Sequence, residues 1–410
     1  GWQWMARGVD TVPGTMDRSS SRVGELRAAD LRPLIPFMAE LRPEKSVAFK
    51  QLAAIQNGEG ALAGFRYYPR SDFTVYHRPD FSFFLKTISS RTLATESINR
   101  ENLKGKLLNS GDAYLIHNGN EYYNLMPVWD WTRLPGITSF NDADIIDRKQ
   151  FTGSVGDGNS GLTVMDYNII NRDTTQSLSA RKMWASYGNT IVALIANLRA
   201  ENVNGNAFTA LDQARWQGEV TVNESGNTLK AGNHKLDNLQ WIHHNHFAYI
   251  PVEPSSFNLQ LNEITGSWSS INASEPAAPV TEKVFLPVMH HDVGHNPLST
   301  GYVLAYSETP EQTKALAENP VWEVLRNDKD GQAVRFGADK FMIAFYAPGT
   351  IKLDEFSQLS TDRACLILIS NEGLYVSDPA QRGGTVKIRI SDKEWSIDVP
   401  ENGTTVKKAI

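Results

Sequence analysis

Cysteine is almost missing from this chain: Cys365 is the only one in 410 residues. One thiol excludes a disulfide framework and any cysteine-based metal site, and it suits a cytoplasm or a bacterial periplasm equally well. No apolar run approaches the roughly 18 residues that a membrane-crossing helix requires. No signal peptide is legible at the start. The opening GWQWMARGVD also lacks an initiator methionine, so the sequence reads as a piece of a longer polypeptide whose N-terminal part is not included. Repeats of solenoid length and low-complexity tracts are absent. So are a phosphate-binding Walker loop and a GxSxG nucleophile elbow, which removes support for nucleotide hydrolysis and for Ser-His-Asp chemistry. Excess positive charge is lacking as well. The formal net charge is -6, which argues against a general nucleic-acid binder.

What is present is enough for a packed core. Hydrophobic residues make up 41% and charged residues 21%, outside the range of disordered chains. The length predicts two or three domains. Residues 1–45 read as helical. Between Asp30 and Leu41, the residues Leu31, Leu34, Ile35, Phe37, Met38 and Leu41 recur at helical spacing, Asp30 is placed to cap, and Pro43 stops the run. From about residue 60, short β-rich runs alternate with Gly, Asn, Asp and Pro: FSFFLKTI (81–88), NTIVALIANL (189–198), HFAYIPV (246–252), KVFLPVM (283–289). That texture predicts a large antiparallel sandwich. Thr309-Pro310-Glu311-Gln312 predicts one interrupting helix. Beyond about 325 the strands shorten, and TVKIRI with WSIDV predicts a hairpin. The fold class is mainly β: a helical segment at 1–45, a large antiparallel β-sandwich at 46–325 and a small C-terminal β-sandwich domain at 326–410.

Two features suggest a surface for acidic sugars. Between Arg66 and Lys106, eight cations face four acids, a local +4 in an acidic chain. Shortly after comes EYYNLMPVWDWTRLPG (121–136), rich in aromatic rings that stack on sugar faces. A solvated strand face beside a core aromatic cluster explains the same residues. Histidines cluster in WIHHNHF (His243, His244, His246) and MHHDVGH (His290, His291, His295). Neither has the helical HExxH spacing, and strand-edge packing is the preferred reading over metal binding.

The segments MDRSSSR (16–22), SSRTLATESINREN (89–102) and GNEYYNLMPVWDWTRLPGITS (119–139) resemble polysaccharide lyase family eight, which contains chondroitin AC lyases, hyaluronate lyases and xanthan lyases. SARKMWASYGNTIVAL (179–194), HHDVGHNP (290–297) and ENPVWEVLRND (318–328) extend the likeness over nearly the whole chain. The resemblance implies an N-terminal toroid of paired helices, of which residues 1–45 would be the last part, followed by two β-domains.

It further implies β-elimination on a uronic-acid polymer, chondroitin sulfate or hyaluronan. A proton leaves C5, the C4–O bond breaks and a 4,5-unsaturated sugar remains. By motif, Arg18 and Arg22 match an Arg-x-x-x-Arg pair, Glu96 an orienting glutamate, and Asn99 a substrate-contacting asparagine. Arg18, Arg22 and Glu96 are thus the expected catalytic residues. Asn99 is expected to contact substrate, with Arg91 from the basic window and Trp129 from the aromatic strip. The family's Asn, His and Tyr that neutralise the carboxylate and move protons have no counterpart here: Tyr76, His77, Tyr114 and His117 lie outside the motif. The chain alone is therefore expected to be inactive. GKLLNSGD (105–112) also departs from the family's Gly-aromatic, Ser-Asp-Gly pattern. No cofactor is expected to be required. Asp142, Asp144 and Asp147 offer oxygen ligands for Ca2+, with surface solvation preferred. The expected partner is an acidic polysaccharide, with no nucleic acid, no membrane and a monomeric state, in a secreted or periplasmic bacterial location. The competing reading is a non-catalytic β-sandwich module that binds acidic glycans.

Overall fold

The structure, a computed structural model, describes residues 2–203, 207–223, 228–294 and 296–409. The chain begins with short helical pieces: Pro13–Met16, a 3-10 turn at Asp17–Ser21, then helices Ile35–Leu41 and Ser46–Gln56. The helical segment runs past residue 45, because SVAFKQLAAIQ continues without a breaker until Asn57-Gly58. Four antiparallel strands follow in sequence order: Gly64–Tyr68, Phe73–His77, Ser82–Lys86 and Asp112–Ile116.

Two larger antiparallel sheets form the sandwich. One has ten strands and is centred on Ser177–Tyr187, Thr190–Glu201 and Leu298–Tyr306. The other has six and is built around the long pair Ser255–Ser267 and Pro279–His291. In strand Thr190–Glu201, Ile191, Ala193 and Ile195 face the sandwich interior, while Val192 and Leu194 face a second core. Burial on both faces explains why NTIVALIANL is a near-continuous apolar run and not an alternating one.

That second core joins the sandwich to the C-terminal domain. Trp241, Ile250 and Val303 meet Trp322, Val334, Phe336, Met342 and Leu368 there. Strand Trp322–Asn327 opens the C-terminal six-stranded sheet, so that sheet starts three residues before 325. A four-stranded sheet closes the small sandwich over its own core of Ile343, Phe345, Ile367, Val386 and Ile388. The expected hairpin pairs Gly384–Ile390 with Lys393–Val399. Its turn residue Ser391 has φ 50, as a two-residue hairpin turn demands. The helix Pro310–Glu318 is capped by Thr309, whose side chain accepts from the Gln312 N–H. Its Leu316 and Ala317 pack onto the second core. No helix among the described residues is long and apolar enough to cross a membrane.

Candidate functional site

The 3-10 turn Asp17–Ser21 forms because three successive serines stabilise it. Ser19, Ser20 and Ser21 each donate a hydroxyl to the carbonyl three residues back, which suits a tight turn whose carbonyls lack helical partners. Arg18 lies in the turn. Arg22 lies just past it with extended backbone, φ -104 and ψ 147. The two arginines therefore do not share one α-helical face. They converge because both reach the same carboxylate.

That carboxylate belongs to Glu101, in the long connection between strands Ser82–Lys86 and Asp112–Ile116. Its Oε2 lies 3.2 Å from Arg18 Nε and 2.9 Å from Arg22 Nη2. Glu96 reaches Arg18 from the other side, with Oε2 3.2 Å from Nη1. Glu101 is 16% exposed and Glu96 63%. The structure thus brings together Arg18, Arg22 and Glu96, and adds Glu101, which motif reasoning missed. The signal was available: Glu101 is one of only four acids in the basic window and lies five residues beyond Glu96.

The connection is latched onto the turn. Asn102, 1% exposed, donates its backbone N–H to Ser21 Oγ and its side-chain amide to Thr95 Oγ1 and the Glu96 carbonyl. Thr95 in turn donates to Asp17 Oδ1 at 2.5 Å. Asn99, Arg100 and Asn102 have φ of 57, 62 and 53, left-handed values that turn the chain sharply enough to bring Glu101 back under the arginines. Asn99 itself is exposed beside this cluster.

The other expected contacts sit elsewhere. Arg91 spends its donors on the carbonyls of Gln150 and Thr152 and on Asp72, whose side chain is fully buried. It is a packing clamp and not a free substrate cation. Trp129 is 5% exposed, stacked on Tyr114 and edge-on to Tyr122 and Trp131. Its ring belongs to the sandwich core. Tyr123 and Asn124 of the aromatic strip meet the N-terminal segment: Asn124 Oδ1 accepts from the Gly24 N–H, and Arg27 lies 4.3 Å over the Tyr123 ring.

The cations of the basic window are divided: Arg66, Arg70, Arg100, Lys104 and Lys106 are exposed, Arg78 and Arg91 are half-buried, and Lys86 is buried. Lys86 is buried and donates to two carbonyls, Arg66 stacks on Trp4, and Lys106 pairs with Asp144.

Asp144 also pairs with Arg172, while Asp147 accepts from Lys149 and Asn168. These carboxylates are neutralised by cations of the chain, which holds both below the usual carboxylate range. Among the described residues no group of three or more His, Cys, Asp or Glu side chains is placed to hold a metal. His243 bonds to Thr313, His244 stacks on Phe285 and accepts from the Gln217 N–H, and His291 bonds to Thr209. Burial lowers all three, to about 4, 3 and 3. His295 lies outside the described residues. His77, bonded to Ser82 and the Trp4 carbonyl, is buried and lowered to about 4.

A wide antiparallel sandwich, a small sandwich behind it and an arginine–glutamate cluster at the helical junction are what the chain offers, and two family models identify the class as polysaccharide lyases. Residues 63–317 match the super-sandwich domain of polysaccharide lyase family 8, and residues 323–387 match its C-terminal β-sandwich domain. The chain belongs to polysaccharide lyase family 8.

It is 30% identical to chondroitinase-AC of Pedobacter heparinus over 93% of this chain and 57% of that protein. It is 27% identical to hyaluronate lyase of Thermasporomyces composti over 79% of this chain and 43% of that protein. A solved chondroitinase AC lyase structure superposes over the whole chain and 64% of its own, with TM-score 0.89 and 25% identity. The chain therefore spans little more than half the length of the chondroitinase it matches.

Proposed function

We propose that this chain supplies the β-domains and the arginine-bearing junction of a lyase that cleaves a uronic-acid glycosaminoglycan, chondroitin sulfate or hyaluronan, by β-elimination. The observation that carries the reading is the Arg18–Glu96–Glu101–Arg22 cluster, formed where the N-terminal turn meets the sandwich. A carbon next to a uronate carboxylate is a weak acid, because its conjugate base adds charge to a group already negative. Cations held at fixed positions stabilise that charge. A nearby guanidinium also favours the phenolate of a tyrosine acting as base.

In this reading Arg18 stands next to the proton-moving groups, Arg22 is a cation on the substrate side, and Glu96 orients Arg18. The Asn, His and Tyr that complete the reaction come from helical residues outside this chain, so the chain alone is inactive. The enzyme works outside the cytoplasm, where such polymers are met. The names of the relatives, chondroitinase-AC and hyaluronate lyase, support the substrate class. They also disfavour a module that only binds glycans.

The test is product formation. The chain, alone and joined to whatever residues its gene encodes before Gly1, is incubated with chondroitin sulfate and with hyaluronan. Ultraviolet absorbance of an unsaturated uronate from the joined form supports the lyase. Glycan binding with no such product from either form favours the module.

A further inference from the structure

Two carboxylates serve the arginine pair, and their environments differ. Glu96 makes one contact, to Arg18 Nη1, from a side chain that is 63% exposed. Exposed single contacts of this kind are worth about 0–1 kcal/mol and exchange readily with water. Glu101 contacts both arginines from a side chain only 16% exposed. Both of its oxygens reach Arg22 Nη2, at 3.1 and 2.9 Å. Reduced solvent strengthens these pairs and narrows their geometry.

The backbone on either side of Glu101 is also fixed. The Arg100 carbonyl accepts from the Ala273 N–H, and Asn102 is held by Ser21. Arg18 is gripped at Nε by Glu101, while its terminal Nη1 faces the exposed Glu96. A guanidinium held at its inner nitrogen keeps its orientation when an outer partner leaves.

We infer that Glu101 is the positioning residue of the arginine pair. It holds both guanidiniums through any exchange at Glu96, so that an incoming acidic substrate meets a preset fork. The catalytic part of this inference rests on the lyase reading proposed above, whereas the clamp itself does not.

Two measurements separate them. The first is NMR of the arginine Nε–Hε signals of the 410-residue chain, assigned with Arg18→Lys and Arg22→Lys. Glu101→Gln should move both the Arg18 and Arg22 signals, and Glu96→Gln should leave that of Arg22 in place. An unmoved Arg22 signal in Glu101→Gln overturns the clamp whether or not the protein is a lyase.

The second is kinetics of the joined form on chondroitin sulfate. Glu101→Gln should lower kcat about 100-fold with KM unchanged or reduced, because a negative charge has been taken from beneath two cations that face a polyanion. Glu101→Asp, which restores the charge with a shorter reach, should recover part of the rate. An unchanged thermal midpoint shows that folding is intact. If kcat falls less than about threefold, or if only KM rises, Glu101 does not position the pair. Signals that move as expected with no elimination by the parent protein keep the clamp and reject the lyase.

Discussion

Arg18 and Glu96 meet, with Nη1 of the one 3.2 Å from Oε2 of the other. They come from an N-terminal turn and from a connection inside a β-domain, so the pair exists only when the two parts of the chain are docked. The docking is carried less by the exposed pair than by Asn102, Thr95 and Glu101 behind it. Perturbing that latch should therefore affect folding and glycan recognition together.

Asn102→Ala removes the amide donor to Thr95 and the Glu96 carbonyl and puts alanine at φ 53. The loss should be about 2–4 kcal/mol: one to two for the bonds and one or more for left-handed backbone. Asn102→Gly should recover only the backbone part. Gly105→Ala should act on the same latch, because its Cβ would fall 1.9 Å from Asn102 Oδ1. Urea unfolding of the three variants checks the ranking.

Trp129→Ala should cost about 3–5 kcal/mol, as expected for emptying a buried aromatic site. Affinity of the folded fraction for chondroitin sulfate should stay within about twofold of the parent. Reduced affinity with unchanged unfolding would return Trp129 to a sugar-binding role.

Arg91→Ala leaves Asp72 buried without its cation, although Tyr67, Ser89 and Thr92 still donate to it. Breaking such a pair by removing one partner typically costs about 3 kcal/mol. Calorimetry should show the lowered midpoint, and glycan titration should show unchanged affinity.

Lys182 is 1% exposed, donates to the Gly136 carbonyl and lies over the rings of Tyr167 and Trp184. Burial pushes it down from 10.5 to about 7. Between those values the unfolded chain carries a proton that the folded chain has lost. Lys182 therefore makes stability rise with pH across this window, by about 1.4 kcal/mol per pH unit. Lys182→Met should remove that rise while fitting the same space. Stability curves at pH 7 to 10 for the two proteins should diverge at the low end, with the variant the more stable.

The broad architecture was legible because sandwich strands announce themselves through short runs and turn residues, and because motif order tied Arg18 to Glu96 across the chain. Other features were not. Five cations of the basic window lie at the surface, but Lys86 and Arg91 are turned inward to satisfy carbonyls and a buried aspartate. Charge counts record composition and not direction. The aromatic strip was ambiguous for the same reason: Trp129 and Tyr123 are six residues apart, yet Trp129 stacks on Tyr114 in the core while Tyr123 lies under Arg27 of the N-terminal segment. Glu101 escaped notice because its role depends on left-handed backbone on both sides of it, at Asn99, Arg100 and Asn102, which no periodicity reveals.

The most direct measurement is the rate of unsaturated uronate formation from chondroitin sulfate by the chain joined to its preceding residues, comparing the parent with Arg18→Lys. Lysine keeps the charge but lacks the fork that meets Glu96 and Glu101 at once. If Arg18 serves the chemical step, kcat falls about 100-fold with glycan affinity held within a few-fold. An Arg18→Lys protein that forms product at the parent rate would contradict that role.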